Sequence, residues 1–243
     1  MLCHPGQFML GGLIATADQW AAFSIEWQAK LDEAPGLDYF KFSEASAMKG
    51  QFDPDRGWSE ALRNRRVTDL AAIARTHVLL GVACFMPQQG FDEFIKSFAP
   101  IKELRDPYFL CFYQIVDAIT EARAHLPSDE LQYIFDDQGA TGLRAVRYWE
   151  QFRTTLRWRR SDLLGSTPKH EDDKKFRPLQ AADLYAGLRR TLQQGQGREI
   201  TPQIEAWAKP FDGMLLLERG YNRESLMLYG AHLVIKSAVR DGR

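Results

Sequence analysis

Cysteine is scarce in this chain: Cys3, Cys84 and Cys111 are the only three in 243 residues. An odd number, with no CxxC spacing, suggests neither a disulfide framework nor a zinc knuckle. No apolar run reaches the roughly 18 residues that a membrane-spanning helix needs. Charge of one sign is also lacking, since 31 Lys and Arg stand against 32 Asp and Glu for a net charge of −1. Bulk charge therefore selects no class of partner, and any basic footprint for nucleic acid must be local. The N-terminus has no basic segment followed by an apolar core, so no signal peptide is expected and a cytoplasmic protein is the default. The chain has no GxxxxGK[ST], no GxGxxG after a strand and no GxSxG. These absences argue against a P-loop, a dinucleotide site and the usual serine hydrolase. Five histidines (His4, His77, His125, His170, His232) show no close pair at metal-ligand spacing.

What is present is ordinary for a globular protein: 45% hydrophobic and 26% charged residues. The length fits one large domain, or one and a half small ones, with a core that needs no covalent staples. Phe8–Ala15 reads as a buried strand interrupted by two glycines. Thr16 and Gln19 have the form of a capping box opening a helix. Its stripe of Trp20, Phe23, Trp27 and Leu31 is expected to face a sheet, and Pro35-Gly36 ends it. Leu37–Ser43 is strand-like, Lys49–Gly57 reads as a loop, and Trp58–Arg75 as a helix. His77–Met86 reads as a strand carrying Cys84 into the core, broken by Pro87–Gly90. Pro107–His125 presents Phe109, Phe112, Val116 and Ile119 on one helical face. Leu131–Phe135 is a strand, Ala140–Leu156 a helix, and Ser161–Phe176 irregular with a short strand near Leu163-Leu164. Pro178–Gln194 is a helix with proline in its first turn. Gln193–Gly197 is a linker, followed by an apolar run at Met214–Leu217 and a last helix near Glu224–Val239. Strands that alternate with helices favour an α/β domain.

Two runs carry the chemistry. In Tyr133-Ile-Phe-Asp136-Asp137 an apolar strand ends in two carboxylates. Ligands of open α/β sheets collect at the carboxyl ends of strands, and alternation puts Asp137 on the opposite side from Asp136. In Pro178-Leu-Gln180-Ala-Ala-Asp183-Leu, the helical projection puts Ala181, Leu184, Tyr185, Leu188 and Leu192 on the apolar stripe. Asp183 falls elsewhere, near Gln180, Gly187 and Arg190. Ala182, Ala186 and Gly187 leave room there for another element or a ligand. Carboxylates converging from separate elements suit Mg²⁺ or Mn²⁺, which serve phosphodiester hydrolysis. Helix capping and solvated surface acids are the plain alternatives for each residue. Glu171, Asp172 and Asp173 read as a solvated run, one of which could approach the site. His170 reads as a loop histidine. Arg63, Arg65 and Arg66, then Arg157, Arg159 and Arg160 around Trp158, then Arg189 and Arg190, are the candidate nucleic-acid contacts. Ordinary helix surface is the plainer reading of each.

At these residues the chain resembles the domain-of-unknown-function 3800 family, placed among RNase H-like folds. The matching runs are Phe8–Ala15, the helix with Trp20 and Trp27, Tyr133–Asp136 and Pro178–Leu184. Together they span roughly residues 8–192. The resemblance implies an RNase H-like mixed sheet flanked by helices, with extra helices inserted and a helical C-terminal tail. On this reading residues 1–195 would form the domain, and 196–243 an extension packed on it. It further implies a metal-dependent nuclease: Asp136 and Asp183 catalytic and metal-binding, Glu44 a third ligand, Gln180 and Asp137 supporting them, Mg²⁺ or Mn²⁺ as cofactor and nucleic acid as partner. The family's leading acid lies on a strand before the one matched by Phe8–Ala15. Met1–Gln7 contains no Asp or Glu and is too short for a strand and turn. The expectation is that this strand is missing, and that the chain as given hydrolyses little or nothing. The alternative is a degenerate member that binds nucleic acid or a protein without cutting.

Overall fold

The computed structural model describes residues 6–99, 102–123, 126–127, 131–137, 144, 146–147, 149, 165–195 and 200–240. Most of the expected helix Ala140–Leu156, the region of Leu163-Leu164 and the Arg157, Arg159 and Arg160 cluster lie outside them.

Strand β1 (Gln7–Ile14) pairs antiparallel with β2 (Leu80–Pro87), in a register from Gln7↔Pro87 to Ile14↔Leu80. Strand β5 (Leu215–Gly220) joins the other edge of β2 in parallel. The order is therefore β1-β2-β5, a mixed sheet. The central position of β2 explains its continuous apolar run: Leu80 to Met86 are all buried, as expected of a strand covered on both faces. A second, two-stranded parallel sheet is formed by β3 (Ile134–Asp136) and β4 (Lys169–Glu171). The protein is thus mixed α/β, with helices α1 (Ala17–Asp32), α2 (Phe42–Ala47) and α3 (Glu60–His77) between β1 and β2. Between β2 and β5 come α4 (Gln88–Phe91), α5 (Pro107–Glu121), β3, β4, α6 (Arg177–Gln194) and α7 (Pro202–Ala208). The last helix is α8 (Arg223–Arg240). No helix among the described residues is long and apolar enough to cross a membrane.

Local chemistry sets several of these boundaries. Thr16 and Gln19 form the capping box: Gln19 N–H donates to Thr16 Oγ1 at 3.2 Å and Thr16 N–H to Gln19 Oε1 at 2.8 Å. Asp106 caps α5, whose first residue is Pro107, where a missing N–H costs nothing. The α5 face of Phe109, Phe112, Val116 and Ile119 is buried, and the helix covers β1, β2 and β5. On the opposite side α6 lies along β1, where Ala186 comes so near Gly11 that a Cβ at Gly11 would stand 3.4 Å from the Ala186 Cβ.

Two expectations need correction. The stripe Phe23, Trp27 and Leu31 packs against α3 and α6 rather than against a sheet. A second apolar core, distinct from the one under α5, fills the space between α1, α3, α6 and α7. Segment 37–43 is not a strand. It runs irregularly to Lys41 and then enters α2. Its apolar side chains Leu37, Phe40 and Phe42 are buried as a strand's would be, but among helices.

Candidate functional site

The parallel pair β3-β4 delivers two acids at its carboxyl end. Asp136 closes β3, opposite Glu171 of β4. Two residues past β4, Asp173 sits in a turn in which Lys175 and Phe176 N–H both donate to Asp172 O, at 3.0 and 2.9 Å. The turn feeds α6, and the second turn of α6 supplies Asp183. Lys41 closes the group from the other side. Its Nζ lies 2.5 Å from Asp173 Oδ2, and it also feels the charges of Asp183 and Asp136. One ammonium thus faces three carboxyls drawn from a strand end, a turn and a helix.

Gln180 holds this assembly together. It is 1% exposed, and its Oε1 accepts from Trp27 Nε1 at 2.9 Å and from Phe40 N–H at 3.1 Å. Its Nε2 donates to Lys174 O at 3.1 Å. One side chain therefore ties α1, the approach to α2 and the Asp173 turn to α6. Three residues on, Asp183 Oδ2 accepts from Phe42 N–H at 2.7 Å. That N–H opens α2, whose N-cap residue Lys41 supplies no side-chain acceptor. Asp183 is thus a remote cap, with its charge at the favourable end of a short helix. The room that the small residues of α6 leave beside Asp183 is taken up by Phe42, whose ring lies against Gly187.

Burial and mutual repulsion act on the acids. Asp136 is pushed above the ordinary carboxylate range by burial and by Asp173, Asp183 and Asp137, with Lys41 opposing. Asp183 is raised by burial and by Asp173, against the Phe42 N–H, Lys41 and Arg190. Burial disfavours the Lys41 ammonium, but its bond to Asp173 and the nearby Asp183 and Asp136 outweigh this and raise its pKa. For the two aspartates the sign is that of destabilisation at neutral pH. Between the ordinary value and the raised one the native chain holds more protons than the unfolded chain, so stability falls as pH rises through that window. Asp136→Asn is therefore expected to raise the thermal midpoint at neutral pH, with the gain vanishing below the ordinary aspartate value. A lower midpoint at neutral pH would instead make Asp136 a net stabilising residue. Such a gain on deletion marks a residue retained for something other than stability.

The remaining candidates fall elsewhere. Glu44 lies in the first turn of α2, with Oε1 accepting from Tyr39 Oη at 3.0 Å and Oε2 from Gln51 N–H at 2.8 Å. Both oxygens thus serve the 39–51 segment. Asp137 is exposed, and its N–H extends the β3-β4 pairing by donating to Glu171 O at 2.9 Å. His170 is not in a loop but in β4, with its ring against Phe135 at 6.0 Å and its pKa lowered by burial. Arg63 and Arg66 are interior residues rather than a basic surface. Arg63 donates to Ala45 O and Gln203 and lies over Trp207, while Arg66 donates to Glu33 O and Pro35 O and lies over Trp58. Arg189 pairs with Glu218. Neither Lys41 nor, within its acidic run, Asp173 stands out in the sequence as a site residue. No periodicity links them, because 132 positions separate the two.

Oxygen donors alone would suit Mg²⁺ or Mn²⁺, but the arrangement does not present them as a metal site. Among the described residues, no three Asp, Glu, His or Cys side chains stand where they could hold one ion. Lys41 engages Asp173, Phe42 N–H engages Asp183, and Glu44 is committed to Tyr39 and Gln51. What the group can do as it stands is hold a positive charge among carboxyls and present Asp136 at a strand end. Comparison with protein-family models, with curated proteins and with solved structures finds no match to this chain.

Proposed function

We propose that this chain is a member of the divalent-metal-dependent nucleases of the RNase H-like class whose acid centre is incomplete. The observation that carries the reading is that Asp136, Asp173 and Asp183, from a strand end, a turn and a helix, lie near enough to feel one another's charge around Lys41. Raised carboxyl pKa values on separate elements are a common property of sites that do chemistry. The strand pattern gives further support. Among the described residues β1 pairs only with β2, and β3 only with β4, so each has an unpaired edge. Both strands lie on α6; Phe8 and Leu10 pack against the Tyr108 and Phe109 pair of α5, and the Tyr108 ring meets Phe135 edge-on. On the resemblance, a further strand would carry the family's leading acid. The proposed substrate is nucleic acid and the proposed cofactor Mg²⁺ or Mn²⁺. Asp136 and Asp183 are the proposed ligands, and Gln180 is the residue that positions them.

The expected result is that the chain alone, given Mg²⁺ or Mn²⁺, cleaves single- and double-stranded DNA and RNA weakly or not at all. Robust metal-dependent cleavage, abolished by Asp136→Ala, would overturn the incompleteness and leave a working nuclease. A second reading, a member that binds nucleic acid or a protein without cutting, is favoured by Lys41 standing among the acids. Retained binding of a labelled single strand by both the wild type and Asp136→Ala, with no cleavage by either, would select it.

A further inference from the structure

The side chain of Lys41 is aimed by a backbone fixed on both sides. Phe40 N–H is held by Gln180 and Phe42 N–H by Asp183. Lys41 itself is extended, at φ −139° and ψ 123°. In extended backbone, side chains alternate between faces. Phe40 and Phe42 go into the helical core, which leaves Lys41 to point the other way, towards the acids. Its Nζ meets Asp173 Oδ2 at 2.5 Å, and the Asp173 side chain is only 14% exposed. The two hydrogen bonds that hold the backbone come from α6, the same helix that carries Asp183. The lysine and Asp183 are thus anchored to the same helix, and Asp173 meets the lysine from the turn that leads into it.

We infer that the Lys41 ammonium is the resident cation of the Asp136–Asp173–Asp183 cluster and supplies the positive charge that the proposed function would assign to a divalent metal. Like charges brought together out of bulk water repel, and something positive has to offset them. A lysine supplies that charge without the ligand geometry that a metal demands, in keeping with the lack of a metal-ready group around it. The inference deepens the proposed function and rests on it only for the comparison with a metal.

The test uses the whole chain as wild type, Lys41→Met and Lys41→Arg, at constant ionic strength. Thermal midpoints are read with and without Mn²⁺, and bound Mn²⁺ is read by its electron paramagnetic resonance. Wild type and Lys41→Arg are expected to bind little Mn²⁺ and to keep their midpoints when it is added. Without metal, Lys41→Met is expected to lose about 2–4 °C, the shift that a small loss of stability gives a chain of this size. It is expected to bind Mn²⁺ at least about tenfold more tightly than wild type, to recover its midpoint with Mn²⁺, and to lose both gains when Asp136→Asn is added. Should Lys41→Met not fold alone, refolding on addition of Mn²⁺ supports the inference, and failure to refold overturns it. It is also overturned if wild type binds Mn²⁺ as tightly as Lys41→Met, or if the variant loses stability yet gains no affinity. Mn²⁺ binding gained without cleavage of DNA or RNA would leave the inference standing and remove the hydrolytic reading.

Discussion

Gln180→Ala is expected to lower stability more than any change at the acids themselves. Three groups lose their partner at once: the Trp27 indole N–H, the Phe40 N–H and the Lys174 carbonyl. The two buried donors left unpaired cost about 1–3 kcal/mol each, so a total loss on the order of 4 kcal/mol is expected. Native stabilities are themselves only about 5–15 kcal/mol, so Gln180→Ala should fold poorly or unfold at low urea. Gln180→Glu separates the contributions. Its carboxylate still accepts from Trp27 and Phe40 but faces the Lys174 carbonyl with no hydrogen to give. Burial raises the pKa of such a carboxyl. Gln180→Glu should therefore be close to wild type at low pH, where an O–H restores the donor, and lose stability as pH rises. Urea midpoints measured across pH decide this, and a flat profile for Gln180→Glu would show that the Lys174 contact contributes little. Because Gln180 also fixes the approach to Lys41 and the Asp173 turn, Gln180→Ala should disperse the acid cluster, and the Lys41–Asp173 pair with it.

The second large effect is expected at Gly187. Considered as a helix position alone, Gly→Ala inside α6 should add about 1 kcal/mol of stability. The tertiary structure reverses the sign. A Cβ at Gly187 would stand 2.2 Å from Phe42 Cδ1 and 2.7 Å from its Cε1. Phe42 is buried and packs edge-on against the fully buried Trp207, at 6.2 Å between ring centroids. Neither ring can retreat without disturbing the core between α3, α6 and α7. Overpacking of this kind costs roughly 1–3 kcal/mol, which exceeds the helical gain. Gly187→Ala should therefore be destabilised, and should weaken the bond from Phe42 N–H to Asp183. With Phe42→Leu in the same chain, the combined loss should be smaller than the sum of the two, as expected of contacting residues. A more stable Gly187→Ala would show that Phe42 shifts freely, and with it the backbone that carries Lys41.

Both predictions come from one face of α6. Gln180, Asp183 and Gly187 follow helical spacing, and all three meet segment 40–42: a backbone N–H, the next N–H but one, and a ring. The Leu-Gln-Ala-Ala-Asp run thus has a structural use, whatever chemistry it also serves. The sequence already placed Asp183 away from the apolar stripe, beside small residues that leave room. That the room is filled by Phe42 could not be read there, because 141 positions separate Phe42 from Asp183. The same limit explains the mistaken strand at Leu37–Ser43. Burial of Leu37, Phe40 and Phe42 suits a strand and a helix-packed segment alike. Whether the backbone N–H groups pair with a strand or with side chains of a distant helix depends on what packs alongside.

The sequence by itself determined the features governed by neighbours along the chain. The capping box at Thr16, the proline at the start of α5, the apolar face of α5 and the continuous apolar run of β2 all come from contacts a few residues apart, and all stand in the structure. It also located the two runs that end in Asp136 and Asp183. Only the tertiary structure decided what surrounds them. It set Asp173 and Lys41 beside the two acids, turned Glu44 to its own loop and drew Arg63 and Arg66 into the interior. The reason is physical: charge and hydrogen bonding act through space, over a few ångströms, while a sequence orders residues only along the chain.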